Sequence, residues 1–250
     1  MSAGSVLCST WLGRVEYVDG WRLQEAIAAR VCGGADERLL LLEHDPVYTI
    51  GRRGTTEHLI AGPAELRRAG ASVYRVDRGG DITYHGPGQL VGYPVVRLGD
   101  APDVVSYVRA IEGALVDALA TYNVVARTER GKTGVWVDHP HTGAPAKIAA
   151  IGVRVSRGVT THSFALNVRT DLAAFERMIP CGFVHEVASL ESLGVRAATR
   201  DVGGRAAAAL ADRLGRVITW STVEPARDDE IAADSPVRSA VDLTSEAVAV

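Results

Sequence analysis

The stretch that decides the fold is Lys147–Val168, KIAAIGVRVSRGVTTHSFALNV. Ala149, Ile151, Val153 and Val155 alternate with Ala150, Gly152 and Arg154, the period of a half-buried strand. Ser156-Arg157-Gly158 is a turn signal, after which Phe164, Leu166 and Val168 alternate with Ser163, Ala165 and Asn167. Two alternating runs around a short glycine turn predict an antiparallel hairpin. Lys147 shares the odd numbering of the apolar set, so an unbroken strand aims it at the covered face. A lysine there either ends a strand with its stem snorkelling or sits partly desolvated for a reason.

Working outward toward the N-terminus, Val6–Leu12 predicts a first strand. Val18–Val31 predicts a helix with Leu23, Ile27 and Val31 on one face and Gly33-Gly34 as its stop. Leu39–Leu42, Val47–Ile50, Val73–Val76, Leu90–Leu98 and Thr133–Val137 predict strands, and Pro94 suggests an edge or a bulge in the fourth of these. Pro63–Ala69 predicts a short helix. Asp103 can cap a long one with Val104, Val108, Ile111, Leu115 and Leu119 on its apolar side, ending near Asn123. Past the hairpin, Leu172–Met178 predicts a short helix stopped by Ile179-Pro180, and Asp201–Leu214 a last helix.

A chain of 250 residues can bury a full core as one domain. Its net charge of −3 argues against nucleic-acid binding as the main task. No apolar run approaches the roughly 18 residues of a membrane span, and the absence of a basic residue before Arg14 does not suit a secretory signal. Three scattered cysteines, Cys8, Cys32 and Cys181, make no disulfide framework, so a reducing cytoplasm is the expected compartment. Glu224–Val250 carries seven acidic and two basic residues, a net of −5, which leaves +2 on the rest. Without aromatic residues, that segment reads as a loosely attached tail.

Arg78–Leu90, RGGDITYHGPGQL, is the other informative stretch. Its glycines and proline exclude a core helix, and Asp81, Thr83, His85 and Gln89 can hydrogen-bond a ligand. It predicts a ligand-cradling loop between strands but lacks the phosphate-loop patterns of nucleotide sites. Upstream, Gly51 and Gly54 bracket Arg52 and Arg53, either a solvated loop or an anion-facing one. Cys181, between Pro180 and Gly182, lies on a sharp turn and is a candidate nucleophile, whereas Cys8 and Cys32 suit plain packing. A reactive thiol needs a nearby cation or base. Lys147, His85 and His162 are the rival partners.

RGGDITYHGPGQL, KIAAIGVRV, FALNV and the Pro-Cys-Gly at Pro180–Gly182 occur in one order along one chain. Together they resemble the lipoyl(octanoyl) transferase family, from about Leu39 to Leu193. The resemblance implies an α/β (α+β) fold, a mixed sheet with flanking helices like the catalytic domain of biotin and lipoate protein ligases. One catalytic domain over residues 1–223 is expected, followed by the acidic tail 224–250, where the chain departs from the family pattern. The resemblance implies that Cys181 carries the acyl group as a thioester and that Lys147 lowers the pKa of that cysteine. Arg78, Gly79, Gly80, Asp81, Ile82, Thr83, Tyr84 and His85 match a substrate-contacting run. Ala150, Ile151 and Gly152 match a second, and Ser163, Phe164 and Ala165 a third. Neither metal nor cofactor is implied. The implied partners are octanoyl-acyl carrier protein and the apo-lipoyl domains of 2-oxoacid dehydrogenase E2 subunits and the glycine cleavage H protein, with no nucleic acid and no membrane. Such partners are acidic, and Arg52, Arg53, Arg75 and Arg78 would steer them.

Two other functions compete. An ATP-using lipoate or biotin ligase typically reads HDxGN where this chain has His85-Gly86-Pro87-Gly88-Gln89, and it needs no Pro-Cys-Gly nucleophile. An idle binding protein would have no use for both Lys147 and Cys181.

Overall fold

In the computed structural model, which describes residues 5–179 and 186–221, strand β1 (Val6–Val15) leads into helix α1 (Tyr17–Cys32). Gly33 caps that helix and Gly34, at φ 103°, turns the chain into β2 (Glu37–His44). There follow β3 (Val47–Ile50), α2 (Pro63–Arg68) with proline in its first turn, β4 (Ser72–Arg75), β5 (Ile82–His85) and β6 (Gln89–Val95). Helix α3 (Val104–Ala120) starts where the Asp103 carboxylate accepts from the Ser106 N–H. Then come β7 (Arg127–Glu129), β8 (Lys132–Asp138), β9 (Pro145–Ser156), β10 (Val159–Asn167), β11 (Glu186–Val187), α4 (Thr199–Arg213) and β12 (Val217–Trp220).

The main sheet runs β12-β1-β2-β6-β10-β9-β8-β7, with β11 added beside β9. It is mixed: β12, β1 and β2 are parallel, β2, β6, β10, β9 and β8 antiparallel, and β11 parallel to β9. On one face Leu39, Leu41, Leu90, Phe164 and Leu166 meet Ile111 and Leu115 of α3 and Val202 and Leu210 of α4. On the other, Leu40, Leu42, Val91 and Ala165 pack with Ile27 and Val31 of α1. A second sheet, β4-β3-β5, has its own core of Tyr48, Ile50, Val73 and Tyr84.

The β9–β10 hairpin forms in the register the alternation predicts, with Phe164 opposite Ile151 and Ala165 opposite Ala150. The expected elements recur in order, and three details differ. The stretch after Gly80 is not a plain loop, because Ile82–His85 pairs with β3. Leu172–Arg177 is a 3₁₀ rather than an α-helix. Strand β6, where Pro94 suggests an edge or a bulge, is central. The irregularity lies on its partner: β6–β10 pairing runs to Gly92↔Phe164 and resumes in the same register at Arg97↔Val159. Opposite the gap, His162 and Ser163 adopt φ of 57° and 155°, and the Thr160 hydroxyl donates to the Pro94 carbonyl at 2.7 Å. A proline can sit in a central strand where the neighbour does not ask for its N–H. The strands β7 and β12 have no counterpart in the sequence reading. The expected boundary at residue 223 and the acidic tail lie outside the described residues.

Candidate active site

Between the second sheet and the α1 face of the main sheet lies a cavity of about 890 Å³. One wall is the hairpin. Ser163, Phe164 and Ala165 stand opposite Gly152, Ile151 and Ala150, and all six residues line the cavity, with Phe164 and Ile151 also packed into the core toward α3. The other wall is the glycine-rich run, from which Arg78, Gly80, Asp81, Ile82, Thr83 and His85 reach the cavity. Its backbone lies against β9: the Gly79 N–H donates to the Val153 carbonyl at 3.0 Å, and a Cβ on Gly152 would sit 2.7 Å from the Gly79 oxygen. Glycine is required where backbones touch this closely. Gly79 and Tyr84 turn away from the cavity. The Tyr84 ring packs against Tyr48 at 5.2 Å and Phe175 at 5.7 Å, where burial pushes its phenol up to about 12.

Lys147 reaches this cavity because β9 is bulged. Val135 pairs with Ala149 and Trp136 with Lys147, so one step along β8 matches two along β9. The extra residue is Ile148, and Ile148 and Ala149 are consecutive members of the core. A bulge of one residue exchanges the two faces of a strand. Lys147, placed on the covered face by numbering alone, therefore joins Ala150 and Gly152 on the cavity side, half-buried. Its ammonium lies 4.8 Å from the centre of the Trp136 ring, and its stem passes Gly134.

Arg78 is not the surface steering group expected of it. It is 7 % exposed, with Nε and Nη2 donating to Thr49 Oγ1 at 3.2 and 3.0 Å and Nη2 to the Thr49 carbonyl at 2.6 Å. Thr49 lies 3.5 Å from His85 Nε2, while His85 Nδ1 donates to the Gln89 amide oxygen at 2.8 Å. Gln89 Nε2 donates to Asn167 Oδ1 at 3.0 Å, and Asn167 Nδ2 to the Ala188 carbonyl at 3.0 Å. A single polar chain thus crosses β3, β5, β6 and β10. Burial holds the His85 imidazole well below its ordinary range, with the charges of His44 and Arg78 acting the same way. His162 is also lowered by burial, against the opposing pull of Asp77, whose Oδ1 lies 3.0 Å from Nε2. Neither histidine comes forward as a charged partner for a thiol.

Cys181 falls outside the described residues, as does the turn on which it was expected. The chain enters that segment with the Ile179 N–H on the His58 carbonyl at 2.8 Å. It leaves with Val187 paired to Lys147, and the Ala188 N–H on the Lys147 carbonyl at 3.0 Å. Trp136, Tyr17, Tyr93 and Asn167 also line the cavity and were not anticipated. Asn167 alone left a signal, as the one amide in an otherwise apolar run.

The lipoyl protein ligase A/B catalytic domain model matches residues 16–211. The octanoyltransferase of Solibacter usitatus is 50 % identical over 200 residues, 79 % of this chain and 88 % of that one. The octanoyltransferase of Mycolicibacterium smegmatis is 47 % identical over 206 residues, 81 % and 87 % of the two chains. In fold, a lipoate-protein ligase A solved with ATP superposes at a TM-score of 0.73 with 20 % identity, over 89 % of this chain and 90 % of that one. A bipartite lipoate protein ligase from Thermoplasma acidophilum superposes at 0.72, also with 20 % identity, over 90 % and 89 %. The chain therefore belongs to the octanoyltransferase family, built on a lipoyl protein ligase A/B catalytic domain.

Proposed function

We propose that the chain moves an octanoyl group from an acyl carrier thioester to Cys181, and from Cys181 to the ε-amine of a lysine on a lipoyl domain. Octanoyl transfer follows from the family; the route through Cys181 and Lys147 is our reading. The observation that carries it is the bulge at Ile148, which turns Lys147 into the cavity lined by all three substrate-contacting runs.

In the first step the Cys181 thiolate attacks the thioester carbonyl, and the carrier thiolate leaves. Exchange of one thioester for another is close to thermoneutral, so no ATP is consumed. In the second step the acceptor amine attacks the Cys181 thioester, the Cys181 thiolate is expelled, and the amine proton passes to Lys147 acting as base. Forming an amide from a thioester runs downhill. The tetrahedral oxyanion needs N–H donors, and we assign this to amides near Lys147–Ile148, where the bulge opens the ladder. The apolar part of the cavity, Ile151, Phe164, Ala165 and Val91, would hold the hydrocarbon chain. The E2 subunits of 2-oxoacid dehydrogenases and the glycine cleavage H protein are the acceptors this reading implies, in a reducing cytoplasm. No helix among the described residues is long and apolar enough to cross a membrane.

The test is to mix the protein with octanoyl-acyl carrier protein without ATP and take intact masses. The expected result is an octanoyl adduct that hydroxylamine removes and that Cys181→Ala abolishes while Cys8 and Cys32 remain. Absence of the adduct, or a strict ATP requirement for transfer, overturns the route.

A further inference from the structure

The GRRG stretch at Gly51–Gly54 has no part in the transfer derived above, yet it is built more tightly than a solvated loop requires. Three successive amides, those of Gly51, Arg52 and Arg53, donate to the carbonyls of Asp81, Arg78 and Gly80 at 3.0, 3.1 and 3.1 Å. The Gly54 N–H closes the turn on the Gly51 carbonyl at 3.0 Å. A Cβ on Gly51 would lie 2.5 Å from the Gly80 oxygen, and one on Gly54 2.7 Å from Asp81 Oδ1, so neither position accepts a side chain. The two arginines are thus mounted directly on the run that walls the cavity. Both are exposed, and Arg53 also lines the cavity. Arg154, Arg177, Arg213 and Arg216 are each ion-paired, but neither Arg52 nor Arg53 meets a carboxylate among the described residues. Asp81, the acid closest to the turn, points its Oδ2 at His58 Nδ1, 2.6 Å away.

We infer that Arg52 and Arg53 hold the phosphodiester of the pantetheine arm that carries the donor thioester. The inference rests on the transfer reading. Two guanidinium forks on a rigid turn suit a phosphate's oxygens better than a single mobile lysine would. Arg53 and Lys147 line the same cavity, so an arm lying in it can present its sulfur to Lys147 and its phosphate to the GRRG turn.

The test compares two small donors, octanoyl-pantetheine and octanoyl-4′-phosphopantetheine, with a lipoyl domain as acceptor and the full chain as enzyme. Wild type is expected to favour the phosphorylated donor in kcat/KM by about tenfold or more, equivalent to roughly 1.4 kcal/mol. In Arg52→Ala/Arg53→Ala the ratio falls to about one. In Arg52→Lys/Arg53→Lys, which keeps the charges and guards against a folding defect, part of the preference returns. A wild type indifferent to the phosphate, or an alanine variant that keeps the wild-type ratio, overturns the inference. A loss seen only with the whole carrier protein also overturns it, by assigning the arginines to the carrier's acidic surface. Wild type that turns over neither donor nor the carrier protein overturns the transfer reading beneath it instead.

Discussion

The two faces of the main sheet are made by alternate residues of the same strands and have opposite chemistry. Toward α3 and α4, Leu39, Leu41, Leu90, Leu166 and Ala149 present no polar atom. Toward the cavity, at the alternate positions of the same strands, stand His44, Gln89, Tyr93 and Asn167, all buried. The difference shows how a fold separates stability from chemistry. The apolar face gains free energy with every methylene covered. The polar face gains little, because its hydrogen bonds replace bonds to water, but it is costly to break once water is excluded. Substitutions on the two faces should therefore fail in different ways.

The largest expected effect lies on the cavity side. Lys147→Ala should lower kcat by about 10²–10⁴-fold, the usual contribution of a positioned acid–base group, with little change in melting temperature. Alkylation of Cys181 near neutral pH should slow in parallel; an unchanged rate would mean that Lys147 does not act on the thiol. On the opposite face, Leu166→Ala empties a fully buried site. It should cost about 2–5 kcal/mol in urea unfolding, while kcat per folded molecule stays within about twofold. If both variants lost activity and stability in proportion, the two faces would not be separable.

Next comes Gln89→Leu, similar in volume but without the amide. It orphans the Nδ1–H of His85, the Asn167 Oδ1 and the Tyr84 carbonyl, which Gln89 Nε2 reaches at 3.1 Å. At about 1–3 kcal/mol per buried unpaired group, a loss on the order of 3 kcal/mol is expected despite the added apolar surface. A variant as stable as wild type would show that the network is wet rather than closed.

The apolar face is legible in the sequence: alternation marks the β9–β10 hairpin, a helical period with the Asp103 cap marks α3, and an unbroken apolar run marks Leu39–Leu42. The cavity face was legible only as motifs, since RGGDITYH and the two triplets are strings whose meeting depends on register between distant strands. Three things escaped because they are set by pairing rather than by local pattern. Pro94 suggests an edge or a bulge, but whether a strand is central depends on its neighbours, and the irregularity opposite it lies on β10. An unbroken strand would aim Lys147 at the covered face, and no residue at Ile148 advertises the bulge that turns it to the cavity. Arg78 looked like a surface charge because its acceptors, the Thr49 hydroxyl and carbonyl, lie 29 residues away.

The smallest expected effect sharpens the same contrast through pH. His44 is fully buried on the cavity face, with Nδ1 donating to the Val15 carbonyl at 2.7 Å and Nε2 accepting from the Tyr93 hydroxyl at 2.7 Å. Burial lowers its pKa to about 4, the Val15 bond opposes the shift, and the charge of His162 adds to it. Between about 6.5, the unfolded value, and about 4, the unfolded chain binds the extra proton and the folded one does not. Stability is therefore full above pH ~6.5 and is lost as pH falls toward the folded value, at about 1.4 kcal/mol per unit. His85 and His162 shift in the same direction, so the wild-type slope is a sum. His44→Gln should remove one proton's share, about 2 kcal/mol of the fall in unfolding free energy between pH 7 and pH 5. The apolar-face variant Leu166→Ala should shift the whole curve down and leave its slope alone. Equal slopes in wild type and His44→Gln would mean that His44 titrates alike in the folded and unfolded chains, and that the polar face is open to solvent at its deepest histidine.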